Sequence, residues 1–191
     1  LAGAAALVRG DPSVEVDPLG GSEDDGNAGA GLHALGEVVV RLALCSQDVQ
    51  RAAQVLKQRP WSISLEGMVK QPRTLDIDDL LKQVQLEERV YRHRCVEAWA
   101  MTVPWTGFPI SQLLSIAEPI GSAKYVVFET AQDPKMPGLS SPFYPWPYVE
   151  GLAIDEAAND LAFISTGMYG KALPPQDGGP IRLTVPWKYG F

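Results

Sequence analysis

The chain has 191 residues, and its capacity for thiolate or imidazole chemistry rests on two cysteines and two histidines. One of each stands in a single run, RVYRHRCVEAWAMTVPWTGFP, which holds His93 and Cys95. On strand periodicity Tyr91, His93, Cys95 and Glu97 share one face, and Arg92, Arg94 and Val96 share the other. Arg92, His93 and Arg94 would set the Cys95 thiol in a positive field, which favours thiolate. A thiolate is a nucleophile or a soft ligand, and a redox metal is its natural partner. The competing reading is a structural cysteine packed as a small hydrophobe in a buried strand. Glu97, on the same face, either approaches that metal or pairs with Arg92 or Arg94.

A second candidate lies near the end of the chain, in QDGGPIRLTVP. On that strand Arg182 and Thr184 point away from Ile181, Leu183 and Val185, so the apolar set can face a core. The guanidinium is then free to enter a cleft, where its fork suits a phosphate. A solvated strand arginine is the alternative. Lys171, in YGKALPP, could reach an anion but reads better as a solvated loop lysine. The aromatics Trp99, Trp105, Phe108, Tyr144, Trp146 and Tyr148 read as core and pocket walls.

Composition narrows the function classes. Hydrophobic residues at 46% and charged residues at 20% suit a globular domain with a sizeable core. A net charge of -7 argues against nucleic acid or an anionic membrane as the main partner. No apolar run is long enough to span a bilayer. Cys45 and Cys95 make no disulfide framework, and His33 and His93 no paired-histidine zinc motif.

The elements that must position these residues are short. Residues 1–31 are small and acidic; LAGAAALV could be the tail of an export signal, but no charged n-region precedes it, and a disordered leader is preferred. The chain begins at Leu1 rather than Met, so a fragment or processed product is expected. Gly29, Gly31 and Ala34 fit a loose dinucleotide fingerprint, but SEDDGNA ahead of them is no strand, and the fingerprint is rejected. Residues 36–45 read as a strand and 47–58 as a helix capped by Ser46. Residues 61–69 alternate as a strand. Asp76 caps a short helix, with Asp79 as its capping-box partner. ISQLLSIAEP is a short helix ended by Pro119. YVVFE, LAFIST and IRLTVP are strands, and residues 155–158 a short helix. Residues 131–152, rich in Pro and Gly, read as a long surface loop. Short strands between single helical turns, without a βαβ rhythm, predict an α+β fold with mixed β-sheets.

The run RCVEAWAMTVPWTGFP resembles the cofactor-anchoring segment of the sulfite oxidase family of molybdenum enzymes, within it the branch that reduces methionine sulfoxide. The resemblance continues through AKYVVFET, YPWPYVEGLAIDEA and YGKALPPQDGGPIRLTVPWKYGF and covers about residues 60–191. It implies a sulfite-oxidase-like molybdopterin-binding domain over 60–191, truncated at its C-terminus, behind a leader and linker of 1–59. It implies a molybdenum-molybdopterin cofactor, with Cys95 as the thiolate on the metal and Thr130 and Arg182 as cofactor contacts. Asp177 stands where that branch has Asn; an ionised carboxylate only accepts, so it must face a pterin N–H or weaken binding. The activity implied is reduction of protein-bound methionine sulfoxide by oxygen-atom transfer. Electrons would come from a membrane haem-binding subunit, in the periplasm. A sulfite-oxidising relative, or a remnant that keeps the anchor cysteine without the cofactor, remains open.

Overall fold

The computed structural model describes residues 37–42, 58–94, 100–130 and 147–188. Strand β1 is Glu37–Leu42, β2 Ser62–Gly67 and β3 Arg73–Asp76, followed by helix α1, Ile77–Leu81. Next come β4, Glu87–Arg94, and β5, Ala100–Pro109, then α2, Ile110–Ala117, and β6, Tyr125–Thr130. Strand β7, Val149–Ala153, leads into α3, Ile154–Ala157, and then β8, Phe163–Met168. Strand β9, Lys171–Ala172, a 3-10 turn at Pro175–Asp177 and β10, Arg182–Thr184, complete the set. The expected helix over 47–58 lies outside the described residues.

Two five-stranded sheets carry the fold, which is α+β as the short alternating elements predict. The first has the order β3-β2-β1-β6-β7; β1 and β6 run parallel and the other neighbours antiparallel. The second has the order β10-β8-β5-β4, with β9 on β8, and is antiparallel throughout. Mixing of strand directions is thus confined to the first sheet. Strand β1 lies upstream of Pro60, yet it occupies the middle of that sheet, with Val38 and Val40 at 0% and 1% exposure.

The main core draws on both sheets and on the three helices among the described residues. Ile63 and Leu65 of β2, Val126 and Phe128 of β6, and Phe108 and Ile164 of the second sheet meet Leu80, Leu113 and Ala157 there. Helix α2 buries Ile110, Leu113, Leu114 and Ala117, the i, i+3, i+4, i+7 stripe that ISQLLSIA encodes. It ends at Glu118, whose φ of 49° is left-handed, just before Pro119.

Two local expectations are corrected. The Asp76 carboxylate does cap α1, accepting from the Asp78 N–H at 2.8 Å. Asp79 is no capping-box partner: its carboxylate takes the Lys82 ammonium at 2.7 Å, one turn further on. And the segment read as loop through residue 152 ends in strand β7, paired along β6 from Tyr125↔Ala153 to Glu129↔Val149. An edge strand needs a ladder on one side, and burial of Leu152 on the core face anchors it despite Gly151.

Candidate functional site

Strand β4 alternates as its sequence predicts. Arg89, Tyr91 and His93 are half-buried, while Val90, Arg92 and Arg94 are exposed. Across the β4–β5 hairpin these inward residues face Trp105, Val103 and Met101 respectively. The face they share is the one turned away from the main core. Val103, Trp105, Phe163 and Leu173 form a second apolar cluster there, with Tyr91 and Met168 packed against it. Two glycines let the strands close up behind it. A Cβ on Gly107 would stand 1.9 Å from the Ile164 carbonyl oxygen, and one on Gly167 2.6 Å from that of Lys171.

Strand β10 brings Arg182 to the same face, opposite Ser165. The Ser165 and Thr184 hydroxyls bond each other at 2.8 Å, so both buried polar groups beside it are satisfied. Thr184 is therefore buried too, on a face opposite to Ile181 and Val185 that is itself covered. The Arg182 guanidinium lies over the Trp105 ring, 5.1 Å from its centroid. Its Nη1 donates to the main-chain oxygen of Asp177 at 2.9 Å. Gly178, with φ at 92°, turns the chain beneath the arginine stem: a Cβ there would come within 3.2 Å of the Arg182 Cβ. QDGGP is thus a turn built to hold one guanidinium.

His93 meets the edge of Trp105, with centroids 5.9 Å apart and planes at 65°. Burial, then the Arg182 charge, push the imidazole below its ordinary pKa of 6.5, with Asp177 partly opposing. The shift favours the neutral imidazole over the charged one. Arg92 and Arg94 lie on the outer face of β4. The positive charge that acts on His93 comes from Arg182, across the sheet.

The expected site residues fall in three places. Arg182 and Asp177 are together, joined by the arginine and the Asp177 carbonyl rather than its carboxylate. Thr130 ends β6 in the other sheet, where its main-chain N–H and its hydroxyl both donate to the Tyr148 carbonyl, at 3.0 and 3.1 Å. No contact among the described residues joins it to the Arg182 group. Cys95 lies outside the described residues, as do Glu97, Trp99, Tyr144 and Trp146; it directly follows β4, whose last pair is Arg94↔Ala100. Lys171 is exposed in β9, as a solvated lysine should be. Among the described residues no group of three or more His, Cys, Asp and Glu could hold a metal ion, and no helix is long and apolar enough to cross a membrane.

At the other end of the sheet face Arg89 bonds Glu87, the Tyr91 hydroxyl and Asp160, and lies 5.1 Å from the Phe163 ring centroid. Its pKa is raised: these bonds outweigh the opposing effect of burial. It is a tie between β4 and the turn before β8. Arg182, by contrast, lies over a ring and donates to a main-chain carbonyl.

A family model described as "Oxidoreductase molybdopterin binding domain" matches residues 50–191. The chain belongs to that family. Among its relatives are two proteins described as protein-methionine-sulfoxide reductase catalytic subunit MsrP. That of Burkholderia mallei is 54% identical over 145 residues, 75% of this chain and 44% of the relative. That of Ralstonia nicotianae is 52% identical over 145 residues, again 75% of this chain and 44% of the relative. The chain thus spans less than half the length of these relatives. Within the molybdopterin-binding oxidoreductase family, the Arg182 cluster has a chemical counterpart, because molybdopterin ends in a phosphate. The donor set fits it: a stacked guanidinium fork, and the buried Trp105 indole N–H, which has no hydrogen-bond partner among the described residues. Sequence reasoning placed Trp105 among the core and pocket walls and missed this pairing. The only signal for it was an indole on the inward face of a strand, with nothing to show which cation it would meet.

Proposed function

We propose that this chain is the molybdopterin-binding part of an oxidoreductase that reduces protein-bound methionine sulfoxide to methionine. What supports the reading is the row His93–Trp105–Arg182 along one face of the second sheet, with the relatives' printed activity as its context. Arg182 holds the terminal phosphate of the cofactor, its plane set by Trp105 and by the Asp177 carbonyl. Cys95, one step beyond β4, provides the thiolate ligand of molybdenum. Thr130 and Asp177 contribute contacts from the two sides. Because the Thr130 proton is given to Tyr148, its oxygen is left to accept, and it suits a pterin N–H. A bound molybdenum-molybdopterin supplies the two-electron oxygen-atom transfer; the protein binds it and orients it.

The electron donor in this reading is a membrane haem-binding subunit, the substrates are oxidised proteins, and the compartment is the periplasm. The test compares the purified protein with Cys95→Ser and Cys45→Ser. Molybdenum and pterin per chain, and methionine-sulfoxide reduction with an artificial donor, are measured in each. Near-stoichiometric metal in the parent and in Cys45→Ser, with none in Cys95→Ser, is the expected result. Equal behaviour of the two variants removes Cys95 as the ligand. A metal-free parent points to a cofactor-free remnant, and oxidation of sulfite in preference to sulfoxide reduction points to the other branch.

A further inference from the structure

Trp105 carries more polarity than its packing requires. The residue is 2% exposed, among Val103, Phe163 and Leu173, yet among the described residues its indole N–H has no hydrogen-bond partner. A buried donor left unpaired is a standing cost, and a phenylalanine would fill an apolar cluster without it. The same ring is the platform under the Arg182 guanidinium and meets the edge of His93. Its one polar atom therefore belongs to the ring on which Arg182 lies, beside the Gly178 turn that packs on the arginine stem. A donor shielded from water bonds an anion more strongly than a wet one.

We propose that the Trp105 indole N–H donates to the same anionic group that Arg182 holds, an oxygen of a phosphate ester. Trp105 is then a ligand-binding residue as well as the surface on which the guanidinium is laid. A phosphate has acceptor oxygens on every side, so one group can meet both a guanidinium and the ring beneath it. The proposal rests on Arg182 as the phosphate clamp, and its test separates the two.

Trp105→Phe keeps an aromatic face for Arg182 and deletes only the donor and part of the ring. Wild type, Trp105→Phe and Arg182→Ala are purified identically, and two quantities are measured. One is pterin and molybdenum per chain; the other is the unfolding midpoint of the cofactor-free protein. Trp105→Phe should bind the cofactor roughly ten- to a hundred-fold more weakly, the loss of one hydrogen bond to a charged acceptor. Its cofactor-free form should still unfold cooperatively, with a midpoint lowered by no more than the cavity left by the smaller ring accounts for. Full occupancy in Trp105→Phe with depletion in Arg182→Ala would overturn the role of Trp105 and leave the clamp standing. Full occupancy in both would remove the clamp itself. Loss of cooperative unfolding in cofactor-free Trp105→Phe would show that the depletion comes from a damaged fold, and that too would overturn the proposal.

Discussion

At the scale of single residues, Arg182 and Asp177 are tied together in a way that residue types alone do not suggest. The arginine uses the main-chain oxygen of Asp177, a contact that survives replacement of the side chain. The carboxylate is then left as a charge beside the proposed phosphate site. Asp177→Asn should keep the arginine in place and raise pterin occupancy. Arg182→Ala should lower affinity roughly ten- to a hundred-fold, the equivalent of about 1.5–3 kcal/mol. Arg182→Lys should fall between, since it keeps the charge but loses the fork that lies on Trp105. Pterin per chain after identical purification decides among these outcomes. Unchanged occupancy across the series would take both residues out of the site.

The elements depend on close approach and on a few ties. Strand β5 shifts register between Thr106 and Gly107, and there its backbone meets β8. A methyl group on Gly107 has no room against the Ile164 carbonyl. Gly107→Ala should therefore cost more than about 3 kcal/mol, beyond the ordinary range for a point substitution. Gly151→Ala, in open space, should cost little; equal denaturation midpoints for the two would contradict the bulge geometry. Helix α3 is tied to the chain's later turn by Lys188, whose ammonium reaches both Glu156 oxygens at 3.0 and 2.8 Å. The Lys188 bond first, and then the Ala153 N–H, hold the Glu156 carboxyl below its ordinary 4.5. A depressed carboxyl contributes stability that is present above about pH 4.5 and is lost as pH falls through the folded value. The stability gap between wild type and Glu156→Gln should accordingly be open at pH 6 and close toward pH 3. A gap that widens on acidification would contradict the pairing.

For the whole molecule, the decisive strand is β1. It separates β2 from β6, so the first sheet would be split without it. Removing residues 1–31, small and acidic in composition, should leave the unfolding midpoint unchanged. Removing residues through Leu42 should abolish cooperative unfolding, because β2 and β6 then lose their shared neighbour and the core loses Val38 and Val40. Thermal unfolding of the two truncations checks both statements; similar midpoints would mean that β1 is no part of the cooperative unit. The family match starts at residue 50, so β1 lies upstream of it and still pairs into the sheet.

The sequence alone determined what each element buries. Alternation in β4, the stripe of α2 and the Asp76 cap follow from spacing and side-chain chemistry within a few residues, and all three are found. The anchor run and the QDGGP turn likewise carried the family and pointed to Arg182. Partnership was decided by tertiary structure. Strand β7 extends because β6 offers it a ladder, which overrides the turn-forming composition around it. The His93 pKa is lowered because burial and a cation from the far edge of the sheet act on it, and neither is written near it in the chain. Trp105 lies under Arg182 because two strand pairings, β5 with β8 and β8 with β10, bring the three strands side by side. Periodicity encodes which face a side chain takes; only the order of strands in the sheet decides whom it meets there.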